Sequence, residues 1–490
     1  MMRMNHFYLQ IIADKKIKRQ VSLLQRIHDA DYAITLEEIS EEFHVSQKTL
    51  ERDIRELEQA FPERDFFSIS KVQGYRINDK LAIDDLLMVV SKQSPLFQII
   101  SNVYEEIFLS IDEWADELFL STSTLYRYLQ HLRALLAEFK LTLTTNPVDI
   151  QGKEENIRYF YYYFSITLMI CPWNIAQDKS NMISLKKNYL FFMKEVGYDV
   201  YIQHRSILYW IKVISHRIEQ GHFVKIDEAF KAEQMKTPRY HYVHQLARET
   251  LDPELDNAMP EDEVIYIDLL LLENYLYKER DEIVMQRLYE SKSWHEGLRE
   301  FVELFFSDSK IEKPDESSLS IFMFYLENVL LLSRLTPLFQ RNFYEINQFV
   351  KLNHPILYEH WLNELVTSDI PEIKSLEYKE DVAVNLAMFT YYVTHQSYQA
   401  KKHILFALDG KKAYMNYMQV FVNEFISKHS KVTFISNKRV TNELIHELGV
   451  DMLVQNYRDE TVITECLQYR TSRLPNMHDW ERINSLLLNL

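Results

Sequence analysis

Residues Thr35–Leu57 read TLEEISEEFHVSQKTLERDIREL, and this stretch decides how the N-terminal part folds. Leu36, Ile39 and Phe43 recur at the spacing of one helical face, and Leu50, Ile54, Leu57 and Phe61 do so again after a break at His44 and Val45. Thr35 and Glu38 have the spacing of a capping box. Ser46 suits the N-cap of the second helix, because its hydroxyl can accept an otherwise unpaired backbone N–H. Two short amphipathic helices joined by a tight turn, with a small residue at Ser40 that lets them cross closely, predict a helix-turn-helix.

The same grammar returns 75 residues later without a gap, in SIDEWADELFLSTSTLYRYLQHL at Ser110–Leu132. Thr35 corresponds to Ser110, Glu38 to Glu113, Ile39 to Trp114 and Ser40 to Ala115. Ser46 corresponds to Ser121, Leu50 to Leu125, Arg52 to Arg127 and Leu57 to Leu132. Each stretch leads into a short alternating segment with a turn signal: FFSISKVQGYRIN at Phe66–Asn78, with Gly74, and LTLTTNPVDIQG at Leu141–Gly152, with Asn146-Pro147. Such segments read as two-stranded wings, so two winged helix-turn-helix units in tandem are expected.

In a helix-turn-helix the second helix enters the major groove with its N-terminal residues near base edges. The outward residues there are Gln47, Lys48, Thr49, Arg52 and Arg55 in the first unit. In the second they are Thr122, Ser123, Thr124, Tyr126 and Arg127. Hydroxyl and amide groups can pair with bases or phosphates, and arginine can bridge phosphates or guanine. Arg52 and Arg127 lead because they recur in register, and double-stranded DNA is the expected partner.

The charge of the chain argues the other way. A formal charge of −17 over 490 residues opposes nonspecific attraction to a phosphate backbone. Residues 1–80, however, hold 13 Lys and Arg against 14 Asp and Glu, so the acidity is concentrated beyond them.

With 47% hydrophobic residues and only 7 glycines, a mostly helical, multidomain protein is expected. Two distant cysteines, Cys171 and Cys466, exclude a disulfide framework and a CxxC motif, which fits a reducing cytoplasm. The most apolar runs, Tyr159–Trp173 and Val264–Tyr277, are short or interrupted by Asp268 and Glu273, so no membrane span is expected. No P-loop, GxGxxG after a strand, HExxH or nucleophile elbow is present, so no catalytic residue, metal or cofactor is expected.

From about Asn156 to Gln399 the chain carries long amphipathic helical patterns rich in Tyr, Phe and Leu, which read as two helical bundles. Polar breaks fall at Gln177–Asn181 and Ser307–Ser317, and the second resembles an interdomain loop. Near residue 402 the pattern changes to HILFAL, KVTFIS and DMLVQN separated by helical stretches, with Gly410 and Gly449 at changes of direction. That order predicts a small α/β domain with a mostly parallel sheet. The expected domains are 1–80 and 81–158 (winged units), 159–289 and 290–400 (helical bundles) and 401–490 (α/β).

Tandem winged units, paired helical domains and a terminal α/β module resemble the Mga/AtxA-like regulators of Gram-positive bacteria. The resemblance covers essentially the whole chain, with its most specific parts in the second recognition helix at Ser121 and in HRSILYWIKVISHRIEQGH at His204–His222. It implies two phosphotransferase-regulation domains, an EIIB-like end, and control of virulence or sugar-linked genes. It also implies homodimerisation through the C-terminal module and phosphorylation of histidines by phosphocarrier proteins of the sugar phosphotransferase system. By position His204 and His395 are the candidates, with His222, His241 and His354 as competitors. An EIIB phosphocarrier has a cysteine after its first strand, whereas here Asp409-Gly410-Lys411 follows, which favours an interaction role over a carrier role.

Two other readings stay open on sequence alone. One is a protein-interaction scaffold whose winged units no longer touch DNA, motivated by Glu41, Glu42, Asp116 and Glu117. The other is an RNA-binding antiterminator-like regulator, which the helix-turn-helix repeat opposes.

Overall fold

A computed structural model of the chain describes residues 6–30, 32–60, 74–77, 83–167, 201–202, 204–237, 240, 244, 259–273, 275–276, 295–309, 316–394, 402–426, 430–436, 440–457, 463–464 and 466–488. His241, His395, Cys171, Phe61, the break at Gln177–Asn181 and most of the first expected wing lie outside the described residues. Two compact units emerge: Met1–Lys153 with Tyr163–Pro172 and Tyr469–Leu490, and Glu154–Tyr162 with Trp173–Gln468.

The first unit begins with α1 (His6–Ile11), α2 (Lys15–His28), α3 (Leu36–Phe43) and α4 (Gln47–Ala60). It continues with α5 (Ile83–Ser91), α6 (Pro95–Tyr104), α7 (Ile111–Glu117) and α8 (Thr122–Glu138). The apolar faces read from the sequence are buried at Ile39, Leu50, Ile54 and Leu57 in one helix-turn-helix and at Trp114, Leu125, Leu129 and Leu132 in the other, while Leu36 and Phe43 of the first face are only half-buried. After α8, β1 (Thr142–Thr145) and β2 (Val148–Gln151) form an antiparallel hairpin, from Thr142 opposite Gln151 to Thr145 opposite Val148.

Long-range contacts join the two helix-turn-helix units. Asp14 caps α2, accepting from the Lys16 and Ile17 backbone N–H groups at 2.8 and 2.9 Å, while the Tyr128 hydroxyl on α8 donates to its other oxygen at 3.2 Å. Phe7 packs edge-on to Phe139, at the end of α8, and to Tyr163.

The C-terminal helix, Met477–Leu488, belongs to this unit. Its Asp479 carboxylate is buried and accepts from the Tyr469 and Ser472 hydroxyls and the Asn476 N–H, at 2.8, 3.2 and 2.9 Å. Trp480 and Ile483 are fully buried, and the His478 ring lies edge-on to His28 at the end of α2.

The second unit starts in α9 (Glu154–Thr167) and continues through the helices His204–Glu219, Glu228–Gln234 and Glu261–Glu273. Tyr162 stacks on Trp210 with ring centroids 4.0 Å apart, and Tyr266, edge-on to Trp210, lies 5.2 Å from the guanidinium of Arg158, the centre of a buried ion cluster. Arg158, with no solvent exposure, donates to both Glu263 oxygens at 2.7 and 2.9 Å and to the His222 carbonyl at 3.0 Å. Glu154 accepts from Arg158 and from Arg217.

A further helical group, His295–Ser309, Glu316–Leu332, Tyr344–Asn353, Pro355–Thr367 and Lys379–Thr394, gathers around Trp361. Here two expectations are corrected. The helix expected over Val264–Tyr277 ends at Glu273, because Tyr275 and Leu276 instead pair as a short strand, β4, with β3 (Tyr201–Ile202). At both ends the expected loop at Ser307–Ser317 gives way to helix, since Ser307–Ser309 close one helix and Glu316 opens the next.

The three expected strands are β5 (Lys402–Ala407), β6 (Ser430–Ile435) and β7 (Met452–Gln455), and β5 lies parallel to both of the others. The helices Lys412–Phe425 and Asn442–Leu448 make the crossovers. Gly449 closes the second of these in the left-handed region at φ 61°, where a side chain would be strained. A fourth strand, β8 (Leu467–Arg470), which the sequence reading did not anticipate, completes the sheet in the order β6-β5-β7-β8.

Candidate nucleic-acid interface

Both helix-turn-helix units are built from the same local devices. Glu38 accepts from the Thr35 backbone N–H at 2.8 Å while Thr35 accepts from the Glu38 N–H; Glu113 and Ser110 repeat this reciprocal pair at 2.7 Å. In each, the backbone and side-chain hydrogen bonds from the cap residue hold the glutamate below the usual carboxylate range. The second helices are capped alike, Ser46 accepting from the Thr49 N–H and Ser121 from the Thr124 N–H, both at 3.2 Å.

The turns match as well. His44 and Phe119, equivalent positions, both adopt φ 54°, and the next residue donates back to the small position of the first helix: Val45 to the Ser40 carbonyl and Leu120 to the Ala115 carbonyl. The segments after the two recognition helices attach at equivalent places. Ile34 and Tyr75 exchange backbone hydrogen bonds at 3.0 and 2.8 Å, and the Val148 N–H donates to the Leu109 carbonyl at 2.8 Å. Gly74 enables the first of these approaches: it sits at φ 95°, and a Cβ there would lie 2.6 Å from the Ala33 carbonyl.

Behind the first recognition helix, Arg19 on α2 forks both oxygens of Asp53, which is almost fully buried on α4. The Asp53 hydrogen bond, with burial opposing it, raises the Arg19 guanidinium above its ordinary value, so the pair is an ionic peg between α2 and α4.

On the outward side of α4, Gln47, Lys48, Arg52 and Arg55 are exposed, while Thr49 is half-buried with its hydroxyl 2.9 Å from that of Ser46. Arg52 reaches Glu56 at 3.2 Å and Arg55 lies near Glu51, so each arginine is held along its own helix by a carboxylate one turn away. On α8, Thr122, Ser123, Tyr126 and Arg127 are exposed, and Thr124 is half-buried with its hydroxyl in the Ser121 cap. Thr122 donates to Asp112 at 3.2 Å, and the Arg127 guanidinium lies 5.7 Å from the Tyr128 ring centre. The structure thus places the candidates along α4 and along the first turns of α8, and all but Thr49 and Thr124 are exposed.

Sequence reasoning did not single out three features of this region: the Arg19–Asp53 peg, the ring residues in the turns, and the Asp14–Tyr128 link. Only the turns carried a signal, since His44 and Phe119 align under the same register that pairs the caps.

Of the histidines considered for modification, the described ones, His204, His222 and His354, sit in the other unit. His204 is the first residue of the helix His204–Glu219. His222 follows that helix, half-buried, and its carbonyl accepts from Arg158. His354 occupies the N-cap position of the helix that starts at Pro355, and its Nε2 lies 3.0 Å from the buried Tyr417 hydroxyl. Among the described residues no helix is long and apolar enough to cross a membrane, and no group of three or more His, Cys, Asp or Glu could hold a metal ion.

Comparison with known proteins agrees with this geometry. Residues 14–73 match the helix-turn-helix domain of the M protein trans-acting positive regulator, and residues 79–164 match the Mga helix-turn-helix domain. The chain is 21% identical over 445 residues to the capsule synthesis positive regulator AcpA of Bacillus anthracis, covering 86% of this chain and 89% of that protein. It is 20% identical over 469 residues to a putative trans-acting regulator of Streptococcus pneumoniae, covering 91% and 92%. A 153-residue match at 23% identity to the anthrax toxin expression trans-acting positive regulator of Bacillus anthracis covers 31% of this chain and 32% of that protein. With two Mga-type helix-turn-helix domains in tandem and similarity to such regulators over most of its length, the chain is similar to the Mga/AtxA-like transcription regulators.

Proposed function

We propose that the chain is a transcription activator that binds double-stranded DNA through both winged units, works as a homodimer, and has no catalytic role. The observation that carries this reading is the duplicated frame: two capped recognition helices, each preceded by the same left-handed turn and each with polar outward residues at its N-terminus. Relatives of nearly full length are named as positive or trans-acting regulators, which supports the same reading.

Gel shifts of a promoter-length duplex across salt test it directly. Arg52→Ala and Arg127→Ala are each expected to weaken binding by roughly five- to 100-fold, as loss of a single phosphate or base contact does. Absence of binding by the wild-type chain at low salt would instead favour the scaffold reading. We further propose the domain limits 1–80, 81–158, 159–289, 290–400 and 401–490, with the two helical groups acting as phosphotransferase-regulation domains and the last as an EIIB-like domain whose final segment, Tyr469–Leu490, groups with the N-terminal unit.

In this scheme phosphocarrier proteins of the sugar phosphotransferase system modify His204 or His395. A phosphohistidine adds negative charge and strong acceptors, which would repack the helices around it and bias the dimer. Mass spectrometry after incubation with those phosphocarriers is expected to find phosphohistidine at one of the two, and its absence at every histidine would end this part of the proposal. The cytoplasm is the setting such a role requires. Sedimentation showing only monomer at micromolar concentration would contradict the homodimer.

A further inference from the structure

The turn of the second winged unit carries two unfavourable features at one residue. Phe119 is 95% exposed, so its ring packs against nothing in the fold, and it holds φ 54°, a left-handed conformation that costs a residue with a Cβ and that glycine or asparagine would adopt more easily. The backbone of the turn is firmly built around it: the Phe119 N–H donates to the Asp116 carbonyl at 3.2 Å and the Leu120 N–H to the Ala115 carbonyl at 2.8 Å. The ring therefore points outward from a rigid turn, two residues before Ser121 caps the recognition helix.

The chemistry around it is short of cations. Residues 83–153 hold five Lys and Arg (Lys92, Arg127, Arg133, Lys140 and Lys153) against ten Asp and Glu. Four of those acids, Asp112, Glu113, Asp116 and Glu117, lie on α7 just before the turn. Such a unit gains little from phosphate attraction. Besides Arg127, the start of α8 and its turn expose apolar and hydroxyl surface: Phe119, then Thr122 and Ser123, and Tyr126 at 51% exposure. The major groove offers a matching apolar group in the C5-methyl of thymine.

We propose that Phe119 is a DNA-contacting, specificity-determining residue that packs against a thymine methyl at the groove edge, so that the second winged unit binds largely through non-ionic contacts. The strain and exposure at Phe119 are then the local cost of presenting an apolar ring to DNA. This rests on the reading of the winged units as DNA readers. The equivalent ring in the first unit, His44, is exposed at the same left-handed position, but it lies in a unit better supplied with cations, where phosphate contacts can dominate.

The test uses the full chain and an A/T-rich, promoter-length duplex, made once with thymidine and once with deoxyuridine throughout, with affinity read by fluorescence anisotropy at several salt concentrations. Phe119→Gly and Phe119→Ala are expected to lose about five- to tenfold in affinity, as removal of one aromatic contact does, with an unchanged salt slope. The wild-type chain is expected to lose a similar factor on the deoxyuridine duplex, and the variants to lose nothing more there. Phe119→Gly is also expected to melt at the same or a higher temperature, which separates lost contact from lost folding. Wild-type affinity in both variants overturns the proposal, as does normal DNA binding with lost activation in a reporter strain, which would make the partner a protein. If the wild-type chain and Arg127→Ala both fail to bind at low salt, the DNA reading itself fails and the proposal falls with it; that outcome is distinct from loss in the Phe119 variants alone.

Discussion

Arg158→Met is expected to destabilise the second unit by about 3–5 kcal/mol, the range found when one partner of a buried ion pair is removed. Arg158 and Glu263 are both without solvent exposure, and Glu263 also accepts from the Val224 backbone N–H at 2.8 Å. Losing the guanidinium leaves the Glu263 carboxylate buried and uncompensated and frees the His222 carbonyl and one side of Glu154. The measurement is urea unfolding of the full chain followed by circular dichroism, where the transition of the second unit should move to lower denaturant. The double variant Arg158→Met with Glu263→Gln should recover much of the loss, because the stranded charge goes with its partner. A single variant as stable as wild type would show that the cluster is not buried in solution.

The same cluster predicts the response to acid. Burial pushes the Glu154 carboxyl up, but the hydrogen bond and charge of Arg217, joined by Arg158, outweigh it and hold the group below the usual range. A carboxyl depressed on folding contributes stability that is fully present above its unfolded value of about 4.3 and is lost as pH falls through the lower folded value. The unit should therefore loosen only below about pH 4 in wild type, and at higher pH in Arg217→Ala.

Trp361→Ala is the second large effect expected, again about 3–5 kcal/mol, the usual cost of emptying a large aromatic site in a core. The indole is fully buried. It stacks on Phe305 with centroids 3.5 Å apart and planes 7° from parallel, and it packs against Phe322 and Phe301. Its Nε1–H donates to the Thr390 hydroxyl at 2.8 Å, so it joins two helices by packing and a third by a hydrogen bond. Calorimetry should show a lower melting temperature for this variant and a smaller drop for Trp361→Phe, which keeps most of the ring contact. Equal melting of Trp361→Ala and wild type would mean that the site collapses without cost.

Some of this was legible from residue order alone, and the reason is range. A capping box needs residues three apart, a helical face needs residues three and four apart, and a turn needs a few neighbours. Thr35 with Glu38, Ser110 with Glu113, and the faces of Ile39 and Leu125 therefore followed from local spacing, and the 75-residue repeat confirmed each reading with a second copy. The parallel order of β5, β6 and β7 followed because helices between apolar runs leave few other topologies.

What only the tertiary structure decided lies between residues far apart in the chain. Arg158 and Glu263 are 105 positions apart, Asp14 and Tyr128 are 114 apart, and no local period links either pair. The association of Tyr469–Leu490 with the N-terminal unit likewise depends on which surface Trp480 and Ile483 bury, and amphipathic spacing states only that some surface must be buried. The end of the Val264 helix belongs to the same class, since strand pairing with Tyr201 overrode its helical pattern. At Phe119 the sequence supplied the ring and its register, but the fold alone supplied the left-handed turn and the full exposure, because both arise from how α7 and α8 cross. Residue order by itself determined the helices, caps, strands and their repetition; long-range packing decided which charges are buried together and which apolar surfaces remain in water.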